Sequence, residues 1–339
     1  MPVPDDIGSP FRTEELSALE VLAGLPPFTV AVNDPPWATL AAAGVEPNRV
    51  VSAWDMNVTA LDAMAEVEDA SSVVVGIGGG TALDTAKFLA WKTGKRLIQI
   101  PTITSVDAGF TTAIGVRDAG HVRYIGDITP ELVVLDLALI RSAPARLNRA
   151  GIGDILSCHT GLHDWQAASS FDQGHPWRED LATLARTLLA ELDDAAEEIH
   201  AVTDDGVRFM ASAYRRIGAA CTEAGHSRFE EGSEHFWAYC YEHASGAHQV
   251  HGELIALGVV ALSHVQGNEA EWAKALVQRC GTRSHPDALA ITRDQFIDAL
   301  TNLREYARSE SLDISVADLS VITPAVAHAA WEFVQQLPS

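Results

Sequence analysis

Basic residues are scarce in this chain. Its 339 residues include 23 Lys and Arg against 46 Asp and Glu, a formal net charge of −23, and no lysine falls between positions 97 and 270. Nucleic acid and anionic membrane both call for a basic surface, so neither is expected as a partner. An anionic substrate would have to meet a local positive centre. Long apolar runs are also missing, since none reaches the roughly 18 to 20 residues that span a bilayer. Cysteine is rare: Cys158, Cys221, Cys240 and Cys280 are scattered, without the paired spacing of metal or redox motifs, and reduced, buried thiols are expected. The opening, MPVPDDIGSPFRTEE, is acidic and lacks the basic start and apolar core of a signal peptide, which points to a cytoplasmic protein.

What is present is a globular composition, 47% hydrophobic and 20% charged, long enough for two domains with separate cores. The chain turns on VVVGIGGGTALDTAK, residues 73 to 87. Val73, Val74 and Val75 read as a buried parallel strand, Gly76 and Gly78 to Gly80 as the turn leaving it, and Thr81 to Trp91 as the next helix. Glycines there let backbone N–H groups approach a pyrophosphate, and the helix start favours its charge. The ordinary dinucleotide fingerprint is incomplete, because position 81 is Thr and the acid expected about twenty residues on is absent. The same turn also serves as a structural solution without a ligand.

Before that turn the order is strand, helix, strand, helix: FTVAVND (28 to 34), ATLAAAGV, RVVSAW and VTALDAMAEVEDA, preceded by a short helical pattern, EELSALEVLAGL. This βα alternation predicts a parallel sheet. Arg96 to Ile100 continues it, TTAIGVRDAGHVRYI alternates around Asp118, Ala119 and Gly120 like a hairpin, and Val133 to Asp136 closes the domain as a last strand. Beyond Ala143 the periodicity is helical almost to the end. The expectation is an α/β nucleotide-binding domain over 1–142 and an all-helical domain over 143–339, with a ligand cleft between them. Asp34, at the end of an early strand, could accept ribose hydroxyls and repel a 2′-phosphate.

Three helical-half segments suggest a metal: AGIGDILSCHTGLHDWQAA with Asp154, EGSEHFWAYCYEH with His235, and HQVHGELIALGVVAL with His251. One carboxylate and two imidazoles suit a catalytic Zn²⁺ or Fe²⁺ with positions left open for substrate. Each has a plainer alternative: His251 as an exposed first-turn residue, His235 as a hydrogen-bonded core residue, Asp154 as a helix cap.

Taken in order, GGG-x₃-D-x-x-K (Gly78 to Lys87), PTITSVDAGFTT (Pro101 to Thr112), APARLNRAGIGDILS (Ala143 to Ser157) and HGELIALG (His251 to Gly258) resemble the superfamily of glycerol dehydrogenase, the iron-containing alcohol dehydrogenases and dehydroquinate synthase. The resemblance covers roughly 28 to 325. GDILSCHTGLHDWQAA with EGSEH looks most like the sn-glycerol-1-phosphate dehydrogenases, while PTITSVDAGFTT and APARLNRAGIGD are also similar to glycerol dehydrogenase. The resemblance implies the dehydroquinate synthase-like fold, Asp154, His235 and His251 as ligands of one divalent metal, and NAD or NADP as hydride carrier. It places Gly78, Gly79, Gly80 and Asp84 along the cofactor, with Thr102, Ser105 and Thr111 beside it. Asp107 would contact a substrate hydroxyl.

One position departs from the family: Tyr239 stands where relatives carry a second histidine, one helical turn after the first histidine ligand. A phenol can donate a hydrogen bond but lacks the positive charge of a protonated imidazole, so an uncharged polyol becomes an alternative to a polyol phosphate. The implied reaction is metal-assisted hydride transfer between alcohol and ketone, with Asp154 in the metal set and Asp107 and Tyr239 orienting the polyol and passing the proton. A sugar-phosphate cyclase of the dehydroquinate synthase type fits less well, because such relatives carry lysines around the phosphate where this chain has none. A cofactor-binding relative without turnover is opposed by retention of all three ligand positions. NAD or NADP, zinc or iron, the direction of reaction and a homo-oligomeric state all stay open.

Overall fold

The computed structural model describes residues 12–118, 121–171 and 175–338. The acidic opening read as lacking a signal peptide falls largely outside the described residues, as does the Ala119–Gly120 tip of the expected hairpin. Two compact units are present, each taken by itself: residues up to Asn148 with Thr203–Glu223, and Arg149–Val202 with Ala224 onward.

The first unit runs β1 (Thr13–Glu14), α1 (Ala18–Ala23), β2 (Phe28–Val32), α2 (Pro36–Ala42), β3 (Arg49–Ser52), α3 (Val58–Ala65), β4 (Val73–Gly78), α4 (Gly80–Thr93) and β5 (Arg96–Pro101), then β6 (Ala113–Asp118), β7 (His121–Asp127), β8 (Leu132–Val134) and α5 (Leu137–Ser142). Six strands form one parallel sheet in the order β1-β8-β5-β4-β2-β3, and β6 and β7 pair antiparallel beside it. The expected strands and parallel sheet are therefore present. The sequence reading did not find β1, because two residues carry no alternation to detect.

Both faces of β4 are buried. Val73, Val75 and Ile77 meet Val30, Val32, Ile98 and Ile100, while Val74 meets Val51, Leu97 and the α4 residues Ala86, Leu89 and Ala90. That is why the strand reads as a continuous apolar run. A Cβ on Gly76 would lie 2.9 Å from that of Ala86 and 3.2 Å from Leu83 Cα, so a glycine is what lets α4 pack this close. The chain reverses its direction of growth at β2, with β3 on one side and β4 on the other. Ligand crevices of open α/β sheets form at such switch points, beyond the carboxyl ends of the strands.

The helical part begins with α6 (Ala145–Ala150), α7 (Ile152–Leu156), α8 (Cys158–Ala168), α9 (Glu179–Ala201) and α10 (Asp204–Ala224). It continues with α11 (Ser233–Ser245), α12 (His251–Gln266), α13 (Ala270–Cys280), α14 (Arg293–Ser309), α15 (Val316–Leu319) and α16 (Pro324–Val334). The helical run expected from 143 is not one unit, since α10 belongs with the sheet. Its Tyr214 hydroxyl donates to the Thr104 carbonyl at 2.9 Å, and its ring lies 6.0 Å from that of Phe110. In the second unit α12 is buried from Gly252 to Ser263, mostly through apolar residues, which makes it the central helix around which α7, α8, α11, α13 and α16 pack. Among the described residues no helix is long and apolar enough to cross a membrane.

Candidate functional site

The glycine turn lies at the β2/β4 switch point. Gly78 ends β4 at φ +152, a conformation that side chains rarely adopt. A Cβ there would also lie 2.8 Å from Asn33 Oδ1. Gly79 precedes the first turn of the 14-residue α4, and Cβ atoms on Gly79 and Gly80 would each meet a methyl group at 2.9 Å, from Ile103 and Val106 respectively. This cradle, closed to side chains and set at a helix N-terminus, fits a pyrophosphate. Thr102 donates its N–H to the Gly78 carbonyl at 3.0 Å, and Ser105 Oγ sits 4.0 Å from a Cβ on Gly79. Asp107 opens the short 3₁₀ helix Asp107–Phe110, whose Ala108 faces Gly80.

Asp84 and Thr111 are brought together differently, through the fully buried Lys87. Its ammonium pairs with Asp84 at 2.8 Å and donates to Thr111 Oγ1 at 3.0 Å and to the Ala113 carbonyl at 2.7 Å. Burial pushes the Asp84 carboxyl up, opposed by Lys87. The network ties α4 to the segment leading into β6. Asn33, which sequence reasoning passed over in favour of the exposed Asp34, bridges the crevice: its amide donates to the Ala53 carbonyl at 3.1 Å and its Oδ1 accepts from Thr81 at 3.1 Å.

In the second unit Asp154, His235 and His251 converge. One candidate ligand atom from each lies within 4.8 Å of the others, the two imidazole centroids are 5.4 Å apart, and His251 Nε2 is 3.4 Å from Asp154 Oδ1. Two glycine contacts produce this. A Cβ on Gly153 would lie 2.5 Å from the Gly252 carbonyl oxygen, so α7 and α12 touch backbone to backbone and carry Asp154 to His251. A Cβ on Gly258 would lie 3.0 Å from the Glu234 carbonyl oxygen, so α11 also packs near the α12 backbone, less tightly than α7 does, and delivers His235.

The donor set fits a divalent transition metal: a carboxylate oxygen and two imidazole nitrogens, with Asp154 and His235 buried. His235 Nδ1 donates to Glu234 Oε1 at 2.9 Å, which fixes the ring and leaves Nε2 as its ligand atom. Burial works against charge on His235, yet the Glu234 hydrogen bond with Glu231 and Asp154 nearby holds its pKa at about 9. A field that retains a proton so firmly also favours a cation in the proton's place. Neighbouring Cys158 reports the same field, its thiol pushed up by burial and by Glu230, Glu234 and Asp154.

Tyr239, one turn along α11 with its ring 6.0 Å from His235, donates its hydroxyl proton to Glu231 Oε1 at 2.8 Å. Glu231 and Glu234 were absent from the sequence-derived site. The signal available was the acidic density of EEGSEH beside a histidine ligand.

A family model for iron-containing alcohol dehydrogenases matches residues 14–144. The curated glycerol-1-phosphate dehydrogenase [NAD(P)+] of Pyrobaculum arsenaticum is 31% identical over 260 residues, 74% of this chain and 75% of that protein. The enzyme of the same name from Hyperthermus butylicus is 31% identical over 233 residues, 68% of this chain and 66% of its own length, so the match spans about two thirds of that relative. Among solved structures, a probable glycerol dehydrogenase from Sinorhizobium meliloti superposes with a TM-score of 0.75 at 22% identity, over 97% of this chain and 98% of that one.

Proposed function

We propose, for a chain that belongs to the glycerol-1-phosphate dehydrogenases among the iron-containing alcohol dehydrogenases, that it is a metal-dependent, NAD(P)-linked dehydrogenase interconverting a small polyol or polyol phosphate with its ketone. The observation that carries the reading is the convergence of Asp154, His235 and His251 from three helices. These residues would hold Zn²⁺ or Fe²⁺. When bound, such an ion lowers the pKa of an alcohol and polarises a carbonyl.

The chain's own residues supply the rest. Gly78, Gly79 and Gly80 would present backbone N–H groups to the cofactor's pyrophosphate at the start of α4, with Thr102 and Ser105 beside it. Asp84, Lys87 and Thr111 brace that helix. Asp107 and Tyr239 orient the polyol: Tyr239, its proton given to Glu231, offers an oxygen that accepts from a substrate hydroxyl. Glu234 keeps the His235 ring in its ligating orientation. We place the enzyme in the cytoplasm, acting on a free small molecule.

The test is NAD(P)H oxidation by metal-reconstituted protein over dihydroxyacetone phosphate, dihydroxyacetone and other ketones, beside His251→Ala. The expected outcome is turnover that depends on zinc or iron, and a variant that loses both metal and turnover while its unfolding free energy changes by about 1 kcal/mol or less. Stoichiometric metal in His251→Ala, by elemental analysis, would remove the triad from the mechanism.

A further inference from the structure

Asp164 lies one turn along α8 from Gly161, on the same face, and is fully buried. That face meets the loop entering α11 at backbone distance. A Cβ on Gly161 would lie 3.1 Å from the Glu230 carbonyl carbon, and one on Gly232 would lie 2.9 Å from Gly161 Cα and 2.8 Å from Asp164 Oδ2. Burying a carboxylate is costly unless its oxygens are hydrogen-bonded. Each oxygen of Asp164 accepts one backbone N–H at 2.7 Å: Oδ2 from Ser233, the first residue of α11, and Oδ1 from Val316, the first residue of α15.

The two helices differ in their need for it. α15 has its own cap, since the Ser315 side chain accepts from the Ala317 N–H. α11 starts after Gly232, which has no side chain to offer, so Asp164 reaches across from α8 to satisfy an N–H that the helix leaves open. Gln266 adds a second hold, its amide donating to Ser233 Oγ at 3.3 Å. From this fixed turn the path to the metal corner is short. Glu234 Oε1 accepts from the Gly232 N–H at 2.7 Å and from His235 Nδ1 at 2.9 Å, so one oxygen joins the backbone that Asp164 anchors to the ring that carries the ligand nitrogen.

We propose that Asp164 is a positioning residue for the metal centre, holding the start of α11 so that Glu234 aims His235 at Asp154 and His251. This rests on the metal reading of those three residues and adds a residue from outside the ligand set. Partners beyond the ligands orient them, and losing such a partner typically lowers metal affinity about 10- to 100-fold.

Cobalt(II) binding, followed by the visible d–d absorption that reports ligand geometry, is compared in wild type, Asp164→Ala and Val316→Pro. Proline suits the first position of α15, with Ser315 extended before it, and deletes only the N–H that this helix gives to Asp164. The expected result is binding about tenfold weaker with a shifted spectrum in Asp164→Ala, and wild-type affinity and spectrum in Val316→Pro. Asp164→Leu in the Val316→Pro background leaves only the Ser233 N–H without its acceptor, and is expected to show the same loss if the alanine variant does not fold. Wild-type affinity and spectrum in either Asp164 variant, or an equal loss in Val316→Pro alone, overturns the proposal. Cobalt bound as tightly by His251→Ala as by wild type would instead sink the metal reading itself, and the proposal with it.

Discussion

The glycine turn of the first unit and the metal corner of the second both depend on glycines that leave no space for a side chain, but what occupies that space differs. At Gly79 and Gly80 the obstacles are the methyl ends of Ile103 and Val106. At Gly153 the obstacle is the backbone of Gly252, at 2.5 Å from carbonyl oxygen and 2.8 Å from Cα. Side-chain ends can rotate away; a helix backbone moves only by moving the helix. The turn is therefore a cradle with compliant walls, and the metal corner a rigid joint whose closeness sets the spacing of its ligands.

The sharpest way to break this contrast is Gly153→Ala. The added methyl must push α7 from α12, so a loss of about 3 kcal/mol is expected, the upper part of the range for overpacked cores. Asp154 should move away from His251 with it. Urea unfolding and metal titration check both, and an unchanged midpoint with full zinc affinity would show that the joint yields. A smaller effect is expected from Gly79→Val, about 1 to 2 kcal/mol as Ile103 shifts, with NADH affinity lowered because that shift disturbs the turn whose backbone N–H groups would meet the pyrophosphate. Fluorescence titration reads this, and undiminished NADH binding would mean that the cradle serves packing alone.

The smallest effect concerns acid. In the first unit, burial works against ionisation of Asp69, but hydrogen bonds from Ser71, Lys95 and Thr29 hold its carboxyl well below the usual range, so its stabilisation is lost only as pH falls below about 4. In the second unit His226 stacks on His175 at 4.2 Å and edges Trp165 at 5.4 Å. Burial, then His175, bring its pKa down to about 4. The unfolded chain therefore takes up the proton first, and the stability linked to a neutral His226 is present above about pH 6.5 and lost as pH falls toward 4. Because the ring is only partly buried, the loss is discounted to about 1 kcal/mol. Asp164, pushed up to about 6 by burial, acts in the opposite sense. The difference between wild type and His226→Phe in urea midpoint, followed from pH 7.5 to 4.5, isolates the histidine. Parallel curves would exclude it as the acid-sensitive group.

Much of the first unit was readable because its strands are buried on both faces and punctuated by glycine and proline. Val73 to Gly80 announces strand, turn and helix without reference to anything distant. The metal corner was readable only through ordered motifs matching a known superfamily. Spacing alone gave Asp154, His235 and His251 plainer alternatives, since what joins them is a pair of helix crossings at Gly153 and Gly258 that one-dimensional periodicity does not encode. Glu231 escaped for a related reason: its contact with Tyr239 runs from a loop to the second turn of a helix, and no local pattern says which way a loop carboxylate turns. The pairing of Asp84 with Thr111 through Lys87 likewise joins residues whose kinship appears only once β5 has placed its following loop over α4.

The return of α10 to the sheet unit has a consequence for how the protein is made. The sheet is encoded early, yet the helix whose Tyr214 meets Thr104 and Phe110 comes only after the chain has travelled through Arg149–Val202. On the ribosome the first unit must therefore wait, with the surface that Tyr214 will cover exposed to solvent and to chaperones, until residues well inside the second unit have been synthesised. Truncation at the apparent end of the α/β sequence would leave that surface permanently bare.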